Sequence, residues 1–129
     1  MYITQLSVFV ENKTGRLSEI LDELAKHNIN IRALSMADTE KYGVLRMIVD
    51  DTLKAQEVLK ASGVIVKNTP VIAIDIDDNP GGLGRIISKL SSNNIAVEYL
   101  YAFLSKLSPN AKVVMKVNDP KKAEEVLAK

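Results

Sequence analysis

The sequence predicts an α+β fold: two tandem βαββαβ units, the second lacking its final strand, each an antiparallel sheet with its helices on one face. Three observations carry this expectation. The chain repeats itself, its apolar pattern switches between a period of two and the helical period, and turn residues sit at the switches. Shifted by 66, Gly15, Leu17, Ile20, Leu24, Asn28, Ile29 and Leu34 fall on Gly81, Leu83, Ile86, Leu90, Asn94, Ile95 and Leu100. Further on the shift becomes 68, and Met47, Val49, Asp51, Ala55, Val58 and Leu59 meet Met115, Val117, Asp119, Ala123, Val126 and Leu127. This is an internal duplication with a two-residue insertion near Lys106–Pro109.

Each element follows in order. Leu6, Val8 and Val10 alternate with Gln5, Ser7 and Phe9, as do Ile72, Ile74 and Ile76 with their neighbours, which marks a strand buried mainly on one face. Leu17, Ile20, Leu21 and Leu24 form one stripe of an amphipathic helix, and Leu83, Ile86, Ile87 and Leu90 repeat it. The runs Asn30–Ala37 and Ile95–Leu104 are strand-like, as are Val44–Val49 and Val113–Val117. Asp51 and Asp119 are suitable N-caps for a second helix in each copy, with Pro120 at a first helical position. Gly63 ends that helix in copy one, Val64–Lys67 supplies a short fourth strand, and Asn68-Thr69-Pro70 is expected to turn the chain into copy two. Two helices crossing over between strands give a ferredoxin-like unit, with a four-stranded sheet and both helices on one side. The domains are expected at 1–68 and 69–129. The counterpart of the fourth strand would fall beyond Lys129, so copy two is expected to carry a sheet edge that something must cover.

Composition narrows the functions. Lys and Arg number 17 against 16 Asp and Glu, a net charge of +1, without the basic excess of a nucleic-acid binder. There is no cysteine and only one histidine, which excludes disulfides, thiolate metal sites and a Cys nucleophile and leaves no metal set. No Ser/His/Asp order and no phosphate loop occurs, since no Lys-Ser/Thr follows Gly15-Arg16-Leu17 at the right spacing, so the chain is expected not to be an enzyme and to need no cofactor. No signal peptide and no long apolar run is present, so a cytoplasmic protein with no membrane partner is expected.

The chemistry concentrates where the first strand of each copy bends through a glycine into a helix. The first N–H groups of a helix lack internal partners and carry the positive end of its dipole, so a carboxylate is a suitable guest. Gly15 and Gly81 keep side-chain bulk out of that place. Asn12 and Asp78 stand just before the turns and could hold a ligand's polar groups, Asp78 suiting an ammonium. Equally, Asn12, Asp78 and Asn79 could simply cap their own helices. Arg16 could meet a carboxylate bidentately or lie solvated, and His27 is placed to complement the end of its helix.

Glu11-Asn12-Lys13-Thr14-Gly15-Arg16-Leu17 with His27-Asn28-Ile29-Asn30-Ile31, and Asp78-Asn79-Pro80-Gly81-Gly82-Leu83 with Asn93-Asn94-Ile95-Ala96-Val97, resemble the signature of the ACT domain. The resemblance covers nearly the whole chain. It implies the βαββαβ fold and a non-catalytic regulatory or sensor role in amino-acid metabolism. It also implies an amino-acid ligand held between two ACT-like units, by the residue before the turn of one and an Asn opening the second strand of the other. The ligand-binding residues so implied are Asn12, Thr14, Gly15, Arg16, Leu17, Asn30, Asp78, Gly81, Gly82 and Leu83. Ala96 departs from the pattern, having no amide where copy one has Asn30. If the two copies pair side by side, the better site joins Asp78 with Asn30; if copy one pairs with copy one across a homodimer, Asn12 meets Asn30. The partners implied are a small molecule, a second copy of the chain and a metabolic enzyme. The alternative is a structural interaction subunit whose ligand sites are vestigial.

Overall fold

The computed structural model describes residues 2–11, 13–38, 42–104 and 110–128. Its elements run β1 (Tyr2–Glu11), α1 (Arg16–Lys26), β2 (Ile31–Asp38), β3 (Tyr42–Val49), α2 (Thr52–Ala61), β4 (Ile65–Ile76), α3 (Gly82–Ser92), β5 (Val97–Ala102), β6 (Ala111–Val117) and α4 (Pro120–Leu127). The chain divides into two units, Thr4–Thr69 and Met1–Ile3 with Pro70–Lys129. The expected α+β class, with ferredoxin-like units and antiparallel strands, is what the chain forms.

In the first unit the strand order is β2-β3-β1-β4. β1 pairs antiparallel with β3, setting Leu6 beside Met47 and Val8 beside Leu45, so the apolar residues of both strands share one face. On that face they meet Ile20 and Leu24 of α1 and Ala55, Val58 and Leu59 of α2, all buried. The second unit repeats this packing. Ile72 lies beside Met115 and Ile74 beside Val113, under Leu90 of α3 and Ala123 and Val126 of α4. Each unit also carries an irregularity at the same repeat position, between Ile31 and Ala33 in β2 and between Val97 and Tyr99 in β5. One extra residue there bends the start of each outer strand.

The helix ends explain why the repeat keeps an Asn before its Ile. Asn28 and Asn94 both sit at φ 58, the left-handed conformation that Asn tolerates best after Gly. The Ile29 and Ile95 amides reach back 3.0 Å to the carbonyls of Leu24 and Leu90, which closes each helix. Gly63, at φ 78, closes α2 in the same way. The Asp51 and Asp119 carboxylates each accept from a backbone amide three residues on, Lys54 and Lys122, at 3.1 Å. Asp51→Ala and Asp119→Ala are each expected to cost about 1 kcal/mol in chemical denaturation, the usual worth of such a cap.

One expectation about the join between repeats needs correction. Residues 68–70 form no turn: β4 runs unbroken for 12 residues through Thr69 and Pro70. Proline favours an extended residue before it, and the ladder with β6 starts only at Ile72, so Pro70 removes no donor from that ladder. The sheet edge expected in the second repeat is met by the other end of the chain, since Tyr2 and Ile3 belong to the second unit. Ile3 lines a common cleft with Ala73, Ile74 and Asp75. Desolvation, and after it the carboxylates of Glu124, Asp119 and Glu125, hold the Tyr2 phenol above its ordinary pKa of 10.0. The start of β1 therefore lies among residues of β4 and α4.

Candidate functional site

Two glycine turns, one in each unit, have nearly the same backbone. Gly15 takes φ 87, ψ −12 and Gly81 takes φ 89, ψ −6, and each is the N-cap of its helix. Both lie in the left-handed region, where a side chain at this position would be strained. In each turn the first helical amide folds back onto a loop carbonyl, Arg16 onto Lys13 at 3.1 Å and Gly82 onto Asn79 at 3.0 Å. The fourth helical amide closes onto the glycine itself, Glu19 onto Gly15 and Arg85 onto Gly81, both at 3.0 Å. Unlike Asp51 and Asp119, a glycine N-cap has no side chain with which to cap the donors between them. Those donors belong to Leu17 and Ser18 in one turn and to Leu83 and Gly84 in the other.

The two turns differ in the residue that follows the glycine. A Cβ on Gly82 would run into the carbonyl of Asp77, so glycine is required where α3 meets the end of β4. Its counterpart Arg16 carries a long side chain whose guanidinium donates to Glu19 at 2.9 Å. In the second turn the guanidinium comes from one helical turn later. Arg85 folds back to donate to the Asn79 side-chain oxygen at 3.1 Å and lies 3.5 Å from the Asp77 carboxylate. Each turn thus has one arginine beside it, drawn from different repeat positions. Sequence reasoning singled out Arg16 and missed Arg85; its spacing of four from Gly81 puts it over the turn on the same helix face.

The other named residues are placed as follows. Thr14 and Arg16 line a cleft of about 190 Å³ with Glu11, Lys13 and Glu19. Leu17 stands 36% exposed beside it, whereas Leu83 packs against the second unit's core. Asp78 is exposed at the second turn. Asn12 lies outside the described residues. Asn30 does not line the turn cleft of its own unit but a separate one of about 350 Å³, shared with Asn28, Ile29 and Asp50. Its backbone amide donates to the Asp50 carboxylate at 3.1 Å, and the Ala96 amide is held identically by the Asn118 side chain, so loss of the amide side chain at Ala96 leaves the backbone there unchanged. His27 caps the end of α1, its Nδ1 2.9 Å from the Glu23 carbonyl oxygen.

Among the described residues no three His, Asp or Glu side chains gather as metal ligands, and no helix is long and apolar enough to cross a membrane. Residues 1–129 match the family described as an ACT domain pair. Protein BT0572 from Bacteroides thetaiotaomicron superposes with a TM-score of 0.91 at 40% identity, over 99% of this chain and 88% of that one. The ligand-free regulatory subunit of aspartate kinase from Thermus thermophilus has a TM-score of 0.67 at 12% identity, over 99% of this chain and 91% of that one. The corresponding subunit from Thermus flavus has a TM-score of 0.65 at 13% identity, covering 99% and 92%. These last two share the fold. No curated protein matches the sequence. The chain belongs to the ACT domain family, as a pair of ACT domains, and so to a class of regulatory modules that bind small molecules.

Proposed function

We propose that the chain is a non-catalytic sensor of amino-acid metabolism that binds an amino acid at its Gly-x-Leu turns. The ligand carboxylate faces the first-turn amides of α1 or α3, and Gly15 or Gly81 leaves room for it. The observation that carries this reading is the contrast among the four helix starts. The two outside the motif are capped by Asp51 and Asp119, while the two within it begin at a left-handed glycine. Thr14, Arg16 and Leu17 border one turn, and Gly82 and Leu83 continue the other. Asp78 supplies a carboxylate for the ligand's ammonium, and Asn12 or Asn30 an amide. The site is completed at an interface of ACT-like units, 1–68 and 69–129, within one chain or between two chains of a homodimer. Binding there favours whichever assembly presents both halves of the site, and this is how the signal would reach a partner enzyme in the cytoplasm.

Calorimetric titration with the common amino acids tests the arrangement. Asp78→Ala is expected to weaken binding by about tenfold or more, the loss of one charge-assisted bond, while Asn12→Ala leaves it intact. The reverse outcome would instead support copy-one pairing across a homodimer. Ala96 favours a second reading, a structural subunit whose sites are vestigial, since one repeat lacks the strand-opening amide. No thermal shift with any amino acid or related metabolite would favour that reading.

A further inference from the structure

In the first unit, the sheet face turned away from the helices carries an apolar patch that the second unit does not share. Beyond Ser7, which is buried, Phe9 and Glu11 follow along that face of β1. β3 sets Val44 beside Phe9 and Tyr42 beside Glu11. β4 lies on the other side of β1, and the Ser7 and Thr69 hydroxyl oxygens stand 3.0 Å apart across that pair. Stepping two residues at a time from Ser7 and Thr69 in this antiparallel sheet sets Lys67 beside Phe9 and Ile65 beside Glu11. Phe9 is 40%, Tyr42 51% and Ile65 69% exposed. The second unit has Asp75, Lys112 and Asn110 where the first has Phe9, Val44 and Tyr42. The fold itself therefore does not require apolar residues at this place, and a cluster of them in solvent marks a contact surface.

The pattern of the patch selects its partner. Same-face neighbours stand about 4.8 Å apart across strands and about 7 Å apart along them, so Phe9, Lys67, Glu11 and Ile65 form a small rectangle. Apolar side chains hold one diagonal and opposite charges the other. Glu11 and Lys67 are exposed, and among the described residues neither has an ion-pair partner. A two-fold axis along the apolar diagonal, between two facing copies, lays Phe9 and Ile65 on their own counterparts. The same axis sets each Glu11 opposite the partner's Lys67. Sheets packed face to face stand about 10 Å apart, a gap that Glu and Lys side chains together span. We propose that this face is a two-fold interface with a second copy of the chain. An added peptide strand is the poorer occupant, because β1 already has β3 and β4 on its two sides and offers no edge. The contact needs no ligand, so it does not rest on the turn reading.

Sedimentation velocity of the full chain, without any amino acid present, tests the interface. The patch spans few residues, so a reversible dimer is expected to form between about 10 μM and about 1 mM. Phe9→Asp introduces the residue that the second repeat carries at the matched position, and it is expected to weaken association by about tenfold or more. Glu11→Lys alone and Lys67→Glu alone each bring like charges together across the axis, and each is expected to weaken association similarly. An equimolar mixture of these two variants is expected to recover the wild-type association, because each mixed pair then meets opposite charges at both places. A chain that stays monomeric throughout would overturn the proposal and leave the patch to a different partner. A dimer as strong in Phe9→Asp, or in either single charge variant, as in the wild type would overturn it as well. So would a mixture that associates no better than its two components, since a two-fold contact must pair them.

Discussion

Gly82→Val is expected to destabilise the second unit by about 3 kcal/mol, the upper part of the range for forcing bulk into a packed site. The added Cβ meets the Asp77 carbonyl, a backbone atom that cannot swing aside as a side chain could. Relief would require α3 to lift from the end of β4, where Leu83, Ile86 and Leu90 join the core. Gly84→Ala is the matched control, two residues along the same helix. A Cβ there has open space around it, and replacing a helical glycine with alanine stabilises by about 0.5–1 kcal/mol. Urea unfolding of the two variants should therefore move in opposite directions. Equal and small effects would show that α3 does not approach β4 as described.

Leu59→Ala is expected to cost about 2–5 kcal/mol, as for other fully buried leucines, and clearly more than Leu127→Ala at the matched position of the second repeat. Leu59 is 0% exposed and packs with Ile20, Leu24, Ala55 and Val64 in the first unit's core, so truncation forfeits a full set of contacts. Leu127 is only partly buried, so its removal forfeits fewer contacts. Hydrogen exchange resolves which unit opens in each variant. Equal losses would contradict the difference in burial between the two matched leucines.

The repeat made most of this architecture legible. Identical spacing of Gly, Leu and Ile in both halves specified two glycine turns and two amphipathic helices, because each depends on local backbone preference, while the left-handed helix endings at Asn28 and Asn94 emerged only with the structure. Asp51, Asp119 and Pro120 likewise acted where their own chemistry placed them. Features set by distant neighbours were hidden. Asn68-Thr69-Pro70 has the composition of a turn, yet β4 continues through it because extended backbone satisfies Thr69 and Pro70 equally well, and Thr69 meets Ser7 at 3.0 Å. Nothing local to Tyr2 and Ile3 tells that they serve the second unit, which is separated from them by the whole of the first. Gly15 and Gly81 were singled out for the room they leave, and the structure adds that both take a left-handed backbone that favours glycine. Gly82 was grouped with them as a ligand contact, whereas its glycine is also demanded by the Asp77 carbonyl. Arg85 escaped notice because it stands two residues beyond the motif and reaches the turn only by folding back along its helix.

Amino-acid binding at the glycine turns is tested most directly by calorimetric titration of the common amino acids into the wild-type chain and into Gly15→Ala with Gly81→Ala combined. Both glycines have free space or only a flexible arginine around a new Cβ, so the cost is backbone strain confined to the turns. Saturable binding of at least one amino acid to the wild type, lost in the doubly substituted chain while its circular dichroism stays native, is the expected result. Absence of binding by every amino acid, or affinity unchanged when both turns are altered, would contradict it.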